Sequence, residues 1–277
     1  MSPHLEIVYS KFLSAYRSHF GCHSVLIHTT ELWKSALDQR KYVGIIMSDL
    51  SKAFDCLPHD LMIEKFNCYN FSDRASGLIR SYLGNRFQRV KILEESSSWA
   101  PLKKGVPQGS IIGPQCFNVY LNDLLLLLEG EGVIPSNYAD DNSLPVVADR
   151  KEGVITKIEE ILRLLLQWFA DNLMNVDKFH FMLLSPNVKN DENCNINTSN
   201  VVIESSNKCK LLGVYIDRGL SFSKHITMIC ARANAKLLAL KRLASFLTVD
   251  CKLSLLRSFI VCHYLYCAAL LHFSSKK

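Results

Sequence analysis

Residues 136–143 read Ser-Asn-Tyr-Ala-Asp-Asp-Asn-Ser, and the fold turns on how this stretch is understood. Asp140 and Asp141 stand side by side with no lysine or arginine among their immediate neighbours. Adjacent like charges repel, so water or a counter-cation has to screen them. A solvated turn is one reading, since Asp and Asn suit turn positions. A divalent metal site is the other, with the paired carboxylates as hard oxygen donors. An aromatic entry at Tyr138, an Asp140-Asp141-Asn142 turn and an apolar exit through Leu144-Pro145-Val146-Val147 make the segment a hairpin with an acidic tip. On this segment alone both readings stay open.

Upstream, Tyr42-Val43-Gly44-Ile45-Ile46-Met47 is a short apolar run suited to a strand buried on both faces, and it delivers Asp49 at its end. A helix is expected over 24–38, and another begins at Pro58 and runs through Leu61-Met62-Ile63-Glu64-Lys65-Phe66. A third covers 73–83, closed by Gly84-Asn85. Residues 88–102 read as a hairpin whose turn is the serine-rich stretch, followed by a Gly/Pro-punctuated polar loop at 103–110. Helices follow from Pro114 to about Leu128 and over 153–172. The polar stretch 187–200 reads as a loop or internal boundary, and 208–217 alternates like a strand. A last helix, Lys224 to about Leu247, places Ile226, Ile229, Ala233, Leu237, Leu240 and Ala244 on one face. Between 224 and 257 there are seven lysines or arginines against one acid, Asp250, so the opposite face is either simply solvated or lies along a phosphate backbone.

At 277 residues, 48% hydrophobic and 21% charged, the chain has the balance of one large globular domain or two small ones. A net charge of +6 permits a polyanionic partner without requiring one. The ten cysteines are scattered with no CxxC pair, which excludes a zinc finger or a disulfide framework as the organising device and points to reduced, intracellular thiols. The apolar tail at 258–273 is interrupted by His263 and too short to span a bilayer; a buried helix or strand is expected there, and no membrane partner. The sequence sets no oligomeric state.

A strand ending in Asp49, a glycine-rich polar loop and a hairpin tipped by Asp140 and Asp141 together make up the equipment of two-metal phosphoryl transfer, in which two ions about 3.5–4 Å apart activate the attacking oxygen and stabilise the leaving one. The chain resembles the reverse transcriptase domain of non-LTR (LINE-like) retrotransposons. The resemblance rests on SDLSKAFDCLPHDLM at 48–62, GVPQGSIIGPQCFNVYLNDL at 105–124, YADDNSL at 138–144, NVDKF at 175–179 and KLLGVYID at 210–217, in the family's order. A hydrolase or nuclease could use the same carboxylates but leaves Phe54, the GVPQGS loop and the LLGV block unexplained.

The resemblance implies an α+β fold, a right-hand polymerase palm with an antiparallel sheet and packed helices, partial fingers and the start of a helical thumb. In that frame residues 1–40 are a remnant of the fingers, 41–186 the palm, 187–222 the primer-grip hairpin region and 223–277 the start of the thumb. It implies RNA-directed DNA polymerase activity with Mg²⁺ (two ions, Mn²⁺ as a substitute), an RNA template, a DNA primer and deoxynucleoside triphosphates (dNTPs). Asp49 and Asp140 would be the principal metal ligands, with Asp141 beside them and the Leu50 carbonyl contributing. Phe54 would lie beneath the deoxyribose and exclude a 2′-hydroxyl. Gln108 and Gly109 would line the nucleotide pocket, Lys178 would protonate the leaving pyrophosphate, and Leu212 and Gly213 would form the primer-grip tip. Valine 176 stands where the family commonly has proline. Because the chain starts almost on top of the SAYRSHFG block at 14–21, nucleotide capture is expected to be impaired. The alternative expectation is an inactive retrotransposon remnant that at most binds nucleic acid.

Overall fold

The structure, a computed structural model, describes residues 2–50, 52–187, 194–198 and 202–272; the side chains of residues 2, 3, 49, 177, 271 and 272 lie outside that description. In chain order the elements are α1 (Ser2–Val8), α2 (Cys22–Asp38), β1 (Tyr42–Leu50), α3 (His59–Cys68), α4 (Asp73–Leu83), β2 (Phe87–Gln88), β3 (Lys91–Ile92), β4 (Glu95–Ser96), β5 (Ala100–Pro101) and α5 (Gly113–Gly130). Then follow β6 (Ser136–Tyr138), β7 (Asp141–Ala148), α6 (Lys151–Asp171), β8 (Val176–Leu184), β9 (Asn195–Asn197), β10 (Val202–Glu204), β11 (Lys208–Leu211), β12 (Val214–Asp217), α7 (Ser223–Leu243), α8 (Val249–Leu256), α9 (Cys262–Leu265) and α10 (Ala268–His272).

Strand β1 sits inside a four-stranded sheet of order β6-β7-β1-β8, and Val43 to Ser48 are buried, as an apolar run with both faces covered requires. The acidic hairpin β6–β7 is antiparallel and lies on one side of β1; β8, which carries Lys178, lies on the other. Contacts divide the chain into two compact units, Met1–His19, Met47–Leu144 and Lys157–Phe179 in the first, Phe20–Ile46, Pro145–Thr156 and His180–Lys277 in the second.

The first unit is organised around α5. Its Cys116, Phe117, Val119, Tyr120, Leu121, Leu124, Leu125 and Leu128 are buried, each large apolar side chain contributing about 1.5–3 kcal/mol. Pro114 in the first turn loses no hydrogen bond there. Lys65 on α3 is buried beside this helix, where it donates to the Tyr120 carbonyl at 2.9 Å and to Asp123, with its ammonium 4.4 Å from the Tyr120 ring centroid. Burial pulls its pKa down, and the Asp123 carboxylate opposes that. The amides of Gln115, Asn118 and Asn122 punctuate the otherwise apolar helix. Asn118 donates to the Ala15 carbonyl at 2.8 Å, Asn122 accepts from the Ser10 N–H at 2.7 Å and donates to the Val8 carbonyl, and Gln115 accepts from the Tyr9 hydroxyl. These bonds give an irregular segment, residues 8–16, the partners its buried backbone needs.

Several expectations are corrected. The hairpin expected at 88–102 forms, but it turns at Leu93-Glu94, where Leu93 has φ 54, and not in the serines. The register Gln88↔Ala100 gives way to Lys91↔Ser96, so one strand carries an extra residue in the serine stretch, a β-bulge. The polar stretch 187–200 is not all loop, since β9 pairs with β10; residues 188–193 lie outside the described residues. The run 208–217, which alternation alone makes one strand, is two, β11 and β12, folded on a Leu212-Gly213 turn where the resemblance implies a hairpin tip. Helix α7 ends at Leu243, and its buried stripe is His225, Ile229 and Ala233, with Ile226 turned outward. The apolar tail is helical, with a π-helical segment at Arg257–Val261, yet Phe259, Tyr264 and Leu265 are exposed, and among its described residues only Ile260, Cys267 and Leu270 are buried. Among the described residues no helix is long and apolar enough to cross a membrane.

Candidate active site

The acidic hairpin pairs Ser136↔Ser143, Asn137↔Asn142 and Tyr138↔Asp141, leaving Ala139-Asp140 as a two-residue turn. Ala139 takes φ 56, the positive value that the first position of a tight hairpin turn of this kind demands, and a residue with a Cβ adopts it at some cost. What holds the turn is the buried pair opposite each other on the two strands. Asn137 donates to the Ala139 carbonyl at 2.8 Å and to the Asn142 side-chain oxygen at 2.7 Å, while Asn142 donates to the Asp140 carbonyl. The Asp140 and Asp141 side chains are thereby presented to solvent from a fixed backbone. Among the described residues Asp140 forms no ion pair.

A second structure grows from the loop after β1. Here the Val106 N–H donates to the Phe54 carbonyl at 2.9 Å, the Gly105 N–H donates to the Leu57 carbonyl at 2.8 Å, and a ring nitrogen of His59 lies 2.8 Å from the Gly105 carbonyl. Gly105, at φ 83, is required twice over, because a Cβ there would stand 2.8 Å from the Asp55 carbonyl oxygen. The two loops are thus zipped together, and Gln108 donates to the Asp55 carboxylate at 3.2 Å. Gly109, at φ 79, has nothing within 4 Å of where a Cβ would be, leaving open space in front of its backbone.

Between these loops lies a cavity of about 300 Å³ lined by Tyr16, Phe54, Val106, Pro107, Gln108, Gly109, Ser110, Gly113 and Pro114. Phe54 forms its floor, stacked on Phe117 at 4.5 Å and meeting Tyr16 edge-on at 6.2 Å. Tyr16 is the lining residue that the sequence reading missed. It is held at φ 59 by the bonds from Asn118 to Ala15 and from Gln115 to its own carbonyl. Its phenol is held above the ordinary tyrosine range, first by burial and then by the Asp140 carboxylate. The acidic hairpin runs alongside the segment that carries Tyr16, since the Ser14 N–H donates to the Asn137 carbonyl at 3.3 Å. The available signal was the polar spacing 115, 118, 122 on an apolar helix.

Of the residues singled out in the sequence, Phe54, Gln108 and Gly109 share this cavity, and Asp140 stands near its Tyr16 wall. Leu50 is buried at the end of β1, and Lys178 is exposed on β8. Asp49 is the penultimate residue of β1, but its side chain lies outside the described residues. Among the described residues no group of three or more His, Cys, Asp or Glu is gathered as a metal site. The donors that are described, two adjacent exposed carboxylates, fit a hard divalent cation. In the second unit Leu212 and Gly213 form the β11–β12 turn with φ 46 and 81, and Tyr266 donates to the Leu212 carbonyl at 2.6 Å.

The family profile for reverse transcriptase (RNA-dependent DNA polymerase) matches residues 1–216. Among curated proteins, the RNA-directed DNA polymerase from mobile element jockey of Drosophila melanogaster is 25% identical over 261 residues, which is 90% of this chain and 28% of that protein. The probable RNA-directed DNA polymerase from transposon X-element of the same species is 26% identical over 205 residues, 73% of this chain and 22% of that protein. Among solved structures, telomerase from Candida tropicalis in complex with the TWJ fragment of telomeric RNA superposes with a TM-score of 0.52 at 10% identity, covering 98% of this chain and 47% of that one. Apo telomerase of the same organism, truncated from its C-terminal domain, gives 0.50 at 15% identity, covering 78% and 43%. The chain spans about a quarter of the length of the curated relatives it matches.

Proposed function

We propose that this chain, which belongs to the reverse transcriptase (RNA-dependent DNA polymerase) family, works as the RNA-directed DNA polymerase domain of a non-LTR, LINE-like retrotransposon. Its polymerase relatives from mobile elements support this reading. The reaction joins the 3′-oxygen of a DNA primer to the α-phosphorus of a dNTP, with release of pyrophosphate. The one observation that carries it is the cavity of Tyr16, Phe54, Gln108 and Gly109 beside the Asp140 turn, a nucleotide-sized recess next to paired carboxylates.

In this proposal Asp49, Asp140 and Asp141, with the Leu50 carbonyl, hold two Mg²⁺ ions. Bound there, the ions supply charge neutralisation of the triphosphate and a lowered pKa for the primer hydroxyl. The chain's own residues do the positioning. Phe54, fixed by its stack on Phe117, meets the sugar and leaves no room for a 2′-hydroxyl. The open backbone at Gly109 admits the nucleotide, and Gln108, steadied by Asp55, flanks it. Lys178 gives a proton to the departing pyrophosphate, and the Leu212–Gly213 turn grips the primer end. Residues 41–186 act as palm, 1–40 belong to the fingers, 187–222 form the primer-grip region and 223–277 open the thumb. The RNA bound in the telomerase complex supports a nucleic-acid partner.

Primer extension tests the proposal. With oligo(dT) on poly(rA), dTTP and Mg²⁺, the purified chain should add nucleotides only when template, primer and metal are all present. Incorporation that ignores the template, or none with the fold verified, would overturn it.

A further inference from the structure

The hairpin between α4 and the pocket loop is exposed throughout, every residue from Phe87 to Pro101. It nonetheless carries Phe87, Val90, Ile92, Leu93 and Trp99, each 60–88% exposed. Two-stranded ribbons are marginal on their own in water, and a concentration of large apolar side chains on one marks a contact surface. Its charges say what kind. Arg89 and Lys91 sit on the first side of the ribbon and Arg86, Lys103 and Lys104 at the root, while the acids Glu94 and Glu95 are confined to the tip.

Strand alternation then sorts the root half. Phe87 and Arg89 share one face with Pro101 and Trp99 across the ribbon, since Phe87 pairs with Pro101 and Gln88 with Ala100. On that face the Arg89 guanidinium lies 4.7 Å from the Trp99 ring centroid. An exposed ring backed by a guanidinium, in a basic surrounding, matches the needs of single-stranded nucleic acid: a π-face for an unstacked base and donors for its phosphate. Trp, Phe and Arg also suit protein interfaces, but lysine is depleted there, so Lys91, Lys103 and Lys104 favour a polyanion.

We propose that this arm binds single-stranded RNA, with Trp99 as the stacking platform and Arg89 and Lys91 on the backbone; given the polymerase reading above, the strand is the template approaching the pocket. The arm's root supports that path. The Leu102 N–H donates to the Arg86 carbonyl at 2.8 Å, Arg86 Nε donates to the Tyr82 carbonyl at 2.6 Å, and the Tyr82 hydroxyl donates to Ser110, a residue of the cavity wall. Lys103 and Lys104 run directly into Gly105.

Trp99 reports on itself, because the other two tryptophans, Trp33 and Trp168, are buried. Titration of the whole chain with a 15-nucleotide oligo(rU) should quench the exposed tryptophan emission saturably and protect it from acrylamide. Trp99→Ala should weaken binding about 10-fold and Trp99→Tyr should restore most of it. Arg89→Ala should lower the slope of log affinity against log salt by about 1. Circular dichroism of each variant verifies the fold. Equal affinity for wild type and Trp99→Ala, or binding that leaves Trp99 open to acrylamide, overturns the assignment. So does protection of Trp99 without RNA through concentration-dependent self-association. Oligonucleotide bound elsewhere together with normal primer extension sinks the arm and spares the polymerase reading; quenching at Trp99 without any extension does the reverse.

Discussion

At the scale of the residue, Asp140 has two effects that can be measured apart. As a metal ligand it is expected to be indispensable, so Asp140→Asn should reduce Mg²⁺-dependent primer extension to background. The side chain is exposed and the substitution isosteric, so the melting temperature should stay within a few degrees. As a charge beside Tyr16 it raises the phenol pKa, second to burial. Asn at 140 removes the second cause and leaves the first, so the Tyr16 pKa should fall part of the way toward the ordinary value, read as an ultraviolet difference titration. An unchanged Tyr16 would place the two groups apart. Phe54→Val should raise the ratio of ribonucleotide to deoxyribonucleotide incorporation, because the wall against a 2′-hydroxyl shrinks; a constant ratio would make Phe54 a packing residue for Phe117 and Tyr16 only. Asp140, Gln108 and Phe54 were legible because each sits inside a string of recognisable spacing. Tyr16 was not, because its place comes from amides on a distant stretch of chain, Gln115 and Asn118, in a helix whose pattern reads as apolar.

At the scale of the element, the acidic hairpin depends on side chains more than on its turn residues. Asn142→Ala removes the acceptor for one Asn137 N–H, which is buried, and the donor to the Asp140 carbonyl, in a partly buried bond. A loss of about 1–3 kcal/mol is expected, read in urea denaturation, with extension falling further than stability because the carboxylates lose their fixed backbone. The β11–β12 turn makes the opposite case. Gly213 has φ 81, while the Cβ of an alanine there would meet the Tyr266 ring at an ordinary 3.6 Å. Gly213→Ala should therefore cost only the backbone strain, on the order of 1 kcal/mol, and a much larger loss would mean that the ring packs more tightly than its geometry shows. The hairpin at 136–148 was readable from its aromatic entry, acidic tip and apolar exit, but its turn falls at Ala139-Asp140 and not at Asp140-Asp141-Asn142, because Asn142 is drawn into β7 to pair with Asn137. That at 208–217 was hidden from its alternation because a leucine occupies a left-handed position, which nothing in the local pattern announces. Helix α7 was placed, and Ile229 and Ala233 are buried as expected, but its first turn buries the polar ring of His225 where Ile226 was expected. Hydrophobicity alone cannot anticipate that exchange.

At the scale of the whole molecule, both units bury acids that ionise only in alkali. Burial pushes the Cys116 and Cys209 thiols up from 9.0 to about 12 and the Tyr69 phenol from 10.0 to about 12, and it raises Tyr9 and Tyr120 further. The unfolded chain gives up these protons near the ordinary values, so above pH 9 the folded state holds more protons and loses stability as pH rises. The contribution is whole below that point and is lost as pH climbs toward the folded values. Lys65 and Lys34 work the other way, since burial lowers their pKa and the folded state holds fewer protons there, but they are two groups against several. Each of the two buried thiols adds a slope of about 1.4 kcal/mol per pH unit between its two values. The urea midpoints of both units should therefore be flat from pH 7 to about 8.5 and fall steeply beyond pH 9. Cys116→Val, close in volume and without an ionisable proton, should flatten the fall in the first unit and leave the second as it was, because Cys209 belongs to the second. Midpoints that hold steady to pH 11 would mean that water reaches these thiols in the folded chain.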